Sequence, residues 1–546
     1  MTNQKDPEER EKVEMAKIDS FEPAHDAVVG QGVCVDSNQL LRRLNNRQIQ
    51  LIAIGGSIGT GLFVTIGSGL HASGPAGLLL AFIFYCIFYP VAGGFVRLAG
   101  HFVGDAFGFM AGWNYFIYEA LVIPFEIGSL AVLVQYWNED APIWAVCLAC
   151  IVLYTVINSL VVNAYGEAEF WLSGGKVILV IALFMFTFVT MAGGNPKHDS
   201  YGFRHWNSPG AFAGYRSSGS LGHWEGFLSA TWSASFCIVG PEYISLVAAE
   251  AKHPRKYLKS AYQTIYFRFF FFFIMSALAV GIVLPYNDPT LVNLLLGNGS
   301  GAGTAAASPY VIAMKNLGIS VFPHIVNALL VTSIFSAGNT YVYCTSRSLY
   351  SMAIEGRAPA IFKKCTKQGI PIYSLALTMA FACLSFLQAT PKTASALSLL
   401  LNLVTGGAFI NYFVMSVTYV YFYRALKAQG VDRKTLPYYG RFQPYCGYIA
   451  SVFFLLVIGV FGYTSLAPFN TKSFFSCYTM ALLSICFYLS WKLLNRGGPN
   501  GPKDVDLVWE RLQVDAYEAI AVDDETTFWG EIAQLLYIKR KSTSSV

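Results

Sequence analysis

The sequence predicts an all-α polytopic membrane protein of about twelve transmembrane helices, with the first and sixth interrupted at mid-depth. Three observations carry this prediction. The 546 residues are 54% hydrophobic and only 13% charged. The apolar residues gather into runs near twenty long, and about 20 residues at roughly 1.5 Å each cross a ~30 Å hydrocarbon core. Basic residues are divided unequally between alternate loops. The runs do not alternate in polarity, which excludes β-barrel strands, the other backbone arrangement that hydrocarbon tolerates.

In chain order, residues 1–46 form a polar tail of mixed charge beginning "MTNQKDPEEREKVEMAK". It has no short apolar core of the kind a signal peptide needs and is expected to be disordered to about Asn45. The membrane domain is expected over 47–495. Its spans fall at about 50–70, 77–96, 106–135, 143–162, 168–192, 225–248, 269–286, 322–344, 371–390, 394–423, 446–468 and 474–492. Residues 496–546 form a second tail with apolar residues at helical spacing. With the N-terminus inside, 29 of the 37 Lys and Arg lie on the cytoplasmic side and six outside, with Lys176 and Arg268 within spans. That bias obeys the positive-inside rule and places both termini in the cytoplasm. The triplet Asn298-Gly299-Ser300 falls in an outer loop, as a glycosylation acceptor must. The net charge of +5 reflects these inner loops and implies no nucleic-acid partner. Eleven cysteines are scattered through apolar segments, and Cys147 and Cys150 read as small buried hydrophobes. No metal or other cofactor is expected.

The first span contains "IAIGGSIGTGLF", residues 52–63, with glycines where a helix should be most continuous. Small residues allow close helix packing. A second interruption, "SFCIVGPEYISLVAAE" at 235–250, favours another reading. There Gly240 and Pro241 break the sixth span, because proline lacks an N–H and clashes with the preceding turn. Interruptions in spans one and six are what an inverted repeat of five helices produces. A helix restarting after the first break aims free N–H groups and a positive dipole end at the gap, which suits a carboxylate. Carbonyls freed near Phe236–Val239 suit an ammonium. An amino acid carries both groups on one carbon, and glycine lets its carboxylate approach the backbone.

The chain resembles the fungal amino-acid permeases, the yeast amino acid transporter type within the amino acid–polyamine–organocation superfamily. The stretches that carry the resemblance are "RQIQLIAIGGSIGTGLFVTIGSGL" (47–70), "GFMAGWNYFIYEALVIPFE" (108–126), "YGEAEFWLSGGKVI" (165–178), "AEAKHPRKY" (249–257), "SAGNTYVYCTSRSLYSMAIEGRAPAIF" (336–362) and "NLVTGGAFINY" (402–412). The resemblance implies a leucine-transporter-like five-plus-five fold with two additional helices. It also implies proton-coupled amino-acid uptake at the plasma membrane. The substrate carboxylate is then expected on Gly56, Ser57, Ile58, Gly59, Thr60 and Gly61, with Phe236 as an aromatic gate. Endocytosis through ubiquitin ligase machinery would use tail lysines such as Lys5, Lys12 and Lys17.

Ionisable groups at membrane depth are costly and usually functional. Lys176 lies well inside span five, where a buried amine releases its proton more readily than in water. Proton-coupled relatives carry a lysine there, so Lys176 is the expected coupling group. The alternative is a lysine snorkelling to the cytoplasmic side. Glu119 and Glu126, seven apart, share a face of span three. Glu126 is expected to hold the substrate amine or conduct protons. Glu242 follows Gly240 and is expected at the substrate or its gate, or else bonded to the unwound backbone. Thr405, with Gly406 and Gly407 on span ten, offers small wall residues that tolerate varied side chains.

The chain departs from the family pattern in three places. Pro241 replaces a small polar residue, and Lys259 replaces a proline. After "GPAGLLLAFIFYC" more than a dozen residues are missing, including an acidic motif. Leu78–Tyr89 supplies only about 18 Å of helix, so the span would have to recruit Pro90–Val96. This raises the alternatives of a non-transporting nutrient sensor or an inactive isoform, beside a carnitine or polyamine permease. No catalytic constellation argues for an enzyme, and no ring of charge argues for a channel.

Overall fold

The interruption in the first span is visible as local backbone geometry. Helix Asn46–Ser57 ends where Ile58 turns extended (φ −107°, ψ 94°). Helical hydrogen bonding resumes at Thr60 and passes through a π-helical turn, Gly61–Thr65. The following helix, Ile66–Phe88, is kinked at Gly74 (φ 73°, ψ 173°), followed by Pro75. A side chain at Gly74 would meet the backbone of residues 211–213. The second half of span 1 thus runs into span 2 through a bend only glycine accommodates. The computed structural model describes residues 44–88, 95–138, 140–160, 162–295, 308–389, 393–436, 442–466, 468–495 and 498–508.

Span 2 is the helix over 75–88, about 21 Å long at 1.5 Å per residue. The expectation that Pro90–Val96 extends it is corrected at its far end. Phe95 and Val96 belong to a separate helix, Phe95–Phe102, which packs on span 3. Residues 89–94 lie outside the described residues, as do the glycosylation triplet, Lys5, Lys12, Lys17 and the last part of the C-terminal tail.

Span 3 is Asp105–Val134, span 4 Ile143–Ser159 and span 5 Val162–Met191. Span 6 consists of Gly219–Cys237 and Pro241–Leu246, separated by Ile238–Gly240. Span 7 follows over 254–283, with a π-helical turn at Phe269–Ile274. Spans 8, 9 and 10 are Phe322–Ile354, Ile372–Ala382 continued by a 3₁₀ turn, and Thr393–Ala428. Tyr445–Val460 and Thr471–Asn495 complete the set as spans 11 and 12. Among the described residues, eight helices are long and apolar enough to cross a membrane unaided, and the helices of spans 4 and 9 are shorter. The described residues are almost wholly helical, and the chain is a multi-pass membrane protein.

Packing sorts the spans by burial. Span 3 is almost entirely buried and lies along spans 8, 10 and 12. The second half of span 1, together with span 2, packs on the first half of span 6. Spans 11 and 12 present exposed Val452, Leu455, Leu456, Ile485 and Leu489, as a surface facing lipid should. The start of the C-terminal tail is not free. Asn500 donates its backbone N–H to the Val103 carbonyl (3.1 Å) and its amide to the His101 carbonyl (2.7 Å). Gln429 at the end of span 10 donates to the Val505 carbonyl (2.7 Å).

Candidate functional site

The two breaks touch. A Cβ on Gly240 would lie 3.5 Å from Ser57 Cβ and 3.5 Å from the Ala53 carbonyl. A Cβ on Gly61 would meet the Phe236 carbonyl at 3.2 Å and Cys237 Cα at 3.1 Å. Gly240 itself has φ 141°, a conformation that L side chains rarely adopt. Pro241 then occupies the first turn of the second half-helix of span 6, where its missing N–H costs nothing and its fixed φ suits the helix. The departure from the family pattern at Pro241 thus starts a helix cleanly.

Three carbonyls near the first break, those of Gly55, Gly56 and Ile58, meet donors from other spans. Lys176 Nζ donates to the Gly55 carbonyl. Tyr341 OH donates to the Gly56 carbonyl at 2.8 Å, and Ser333 Oγ to Ile58 at 3.3 Å. In hydrocarbon an unsatisfied carbonyl is expensive, so spans 5 and 8 hold the unwound segment in place. At the sixth span, Tyr412 OH on span 10 reaches the Ser235 and Ile238 carbonyls (3.3 and 3.5 Å).

Glu126 stands directly against the first break. Thr60 Oγ1 donates to Glu126 Oε2 at 2.6 Å, and a Cβ on Gly59 would lie 3.1 Å from Glu126 Oε1. Lys176 is fully buried, so it does not snorkel. One helical face of span 5 carries Glu169, Ser173 and Lys176 at i, i+4 and i+7. Glu169 accepts from Ser173 Oγ (2.9 Å), from Ser336 Oγ and from Asn339 Nδ2 (3.4 Å). A side chain at Gly55 would collide with Glu169. The network therefore ties the first break to spans 5 and 8, with Asn158 of span 4 donating to Asn339 at 2.8 Å.

The other expected residues divide. Gly56 packs under the Tyr243 ring and beside Thr340. Ser57 donates back to the Ile54 carbonyl (3.0 Å). Phe236 meets Phe125 of span 3 edge-on, with centroids 5.3 Å apart, beside the break. Glu242 Oε2 accepts the Gly240 N–H at 3.1 Å, which is the backbone-bonding role weighed for it. Thr405 donates to the Leu401 carbonyl of its own helix (2.7 Å), so its hydroxyl is committed there. Trp232, one turn before Phe236 and outside the expected set, packs on Phe461 and Tyr463.

The sequence reading missed Glu169, Ser333, Tyr341 and Tyr412. The three-residue face on span 5 was a readable signal, and the hydroxyls of spans 8 and 10 gave none. Glu119 is buried on span 3 with neither carboxylate oxygen in hydrogen-bond geometry among the described residues, although the Tyr115 and Tyr243 phenols lie near it.

Two interrupted helices in contact at the centre of a polytopic bundle, lined by buried acids and a buried lysine, define a membrane transporter. A family model described as "Amino acid permease" matches residues 48–499, and this chain belongs to that family. General amino acid permease AGP2 of Saccharomyces cerevisiae is 42% identical over 87% of this chain and 83% of its own length. The proline-specific permease of the same yeast is 33% identical over 84% of this chain and 76% of its own. Its lysine-specific permease is 32% identical over 91% and 84%. Among solved structures, a manganese transporter of Eremococcus coleocola superposes loosely, with a TM-score of 0.49 and 12% identity over 90% of this chain and 99% of that one.

Proposed function

We propose that this chain takes up amino acids across the plasma membrane by proton-coupled alternating access, with the substrate held between the interrupted helices of spans 1 and 6. Residues 47–495 are the transport unit, and residues 1–46 and 496–546 are cytoplasmic tails, the N-terminal one serving ubiquitin ligases. The observation that supports this most is the contact of the two breaks beside Glu126. There Thr60, at the start of the resumed helix, makes no capping bond with its own side chain, and a carboxylate hydrogen-bonded to Thr60 stands alongside. The amides of residues 59–61 receive the substrate carboxylate, and Glu126 receives its ammonium when Thr60 gives way. Phe236 and Phe125 cover the site. Lys176 carries the coupling proton and Glu169 is its counter-charge. When Lys176 is charged, its bond to the Gly55 carbonyl holds the inner half of span 1 against span 5. When neutral, it releases that half.

A second reading concerns the substrate's side chain. The sequence admits a carnitine or polyamine permease, and Glu119, buried near Glu242 with the Tyr115 and Tyr243 phenols beside it, favours a substrate with a second cationic group, which a polyamine or a basic amino acid has and carnitine lacks. Labelled uptake by cells expressing the full chain tests both readings. A panel of neutral and basic amino acids, carnitine and spermidine is offered as competitor at several external pH values. Saturable uptake that rises as external pH falls supports the proposal. Binding without accumulation would instead indicate a sensor.

A further inference from the structure

We propose that a cleft between spans 3, 10, 11 and 12 binds an anionic glycerophospholipid, with an acyl chain in the cleft and the headgroup phosphate held by Arg424 and Lys492. The cavity has a volume of about 580 Å³, within the range of small-molecule sites. Its walls include Phe107 and Met110 of span 3, Phe413 and Val417 of span 10, Leu455 of span 11 and Ile485 of span 12. This surface offers dispersion contacts and asks for almost no hydrogen bonds. The outer lip is open, since Leu455 and Ile485 are each 57% exposed. The cleft therefore opens sideways, toward where acyl chains lie, and is separate from the interrupted helices.

Charge selects the kind of lipid. Tyr421 and Tyr488 line the cleft at the end where spans 10 and 12 finish. Each ring carries a cation, Arg424 over Tyr421 and Lys492 over Tyr488, both at 5.6 Å. Both cations are exposed, and neither makes an ion pair among the described residues. The carboxylate of Asp105, at the start of span 3, is committed to Arg357 (2.9 Å) and to Trp491 Nε1 (2.6 Å). Two cations beside an apolar slot match a phosphodiester on an acyl chain and give a sterol hydroxyl no advantage. Gly498 and Pro499 of the tail close the same end. The orientation proposed above puts that end at the cytoplasmic leaflet, where anionic lipids are enriched.

Native mass spectrometry of the purified, delipidated full chain tests this independently of transport. Palmitoyl-oleoyl phosphatidylserine, the matching phosphatidylcholine and ergosterol are offered separately. The native chain should retain one phosphatidylserine in preference to the other two. In the double variant R424A/K492A that retention should fall about 25-fold, each basic residue contributing about a factor of five. Ala481→Phe, which fills the cleft and keeps both cations, should also lose it. Equal retention of phosphatidylserine and phosphatidylcholine, preferential retention of ergosterol, or an unchanged double variant would overturn the proposal.

Discussion

At Gly59 the site leaves no room for a side chain. A Cβ there would lie 3.0 Å from Ala337 Cβ and 3.1 Å from Glu126 Oε1, and valine would add two methyls. Gly59→Val should abolish uptake while surface expression, read by cell-surface labelling, stays near normal. Normal uptake by that variant would remove the site from the first break. Glu126→Gln keeps the shape and can still accept from Thr60, but it carries no charge. Its uptake should show a changed apparent affinity or a flattened pH profile, and retention of both would leave Glu126 a purely structural role. Lys176→Ala removes a titratable group and one donor to the Gly55 carbonyl. It should bind or exchange substrate without concentrating it, and its uptake should ignore a protonophore. A variant that still concentrates substrate, with the gradient still collapsed by protonophore, would pass the coupling role to Glu126 or Glu242.

The interrupted helices themselves were legible because their causes are local. Four glycines in "GGSIGTG" and a Gly-Pro pair followed by a glutamate state a broken helix within a dozen residues of chain. What holds the breaks open was not legible. Tyr341, Ser333 and Tyr412 reach freed carbonyls from positions 174 to 285 residues away in sequence. No periodicity marks a hydroxyl that crosses the bundle, since tyrosines and serines are common on every span. Gly240 is the hinge of the sixth span, and Gly240→Ala forces a side chain into φ 141°. That strain should cost about 1–3 kcal/mol and lower the melting temperature of the purified protein. Uptake should fall with it. An alanine variant of unchanged melting temperature would mean that the break relaxes freely.

Across the whole molecule, the count of twelve spans followed from hydropathy and loop charge, both averaged over many residues and so robust. Two features were hidden. The end of span 2 depended on whether Pro90–Val96 continue a helix, and Phe95–Phe102 forms a helix of its own. Residues 498–508 read as tail because they are polar and glycine-rich, yet Asn500 and residues 502–506 bond to His101 and to Gln429 at the end of span 10. Long-range backbone contacts of that kind leave no trace in composition. The proposed function joins these scales: in it, the interrupted helices, Glu126 and Lys176 together make a proton-driven amino-acid carrier. Its most direct test is uptake of a labelled amino acid into proteoliposomes holding the purified full chain, with the outside made acidic relative to the lumen. The account predicts saturable accumulation above the external concentration, collapsed by a protonophore. Saturable binding with no accumulation, or accumulation indifferent to the proton gradient, would contradict it.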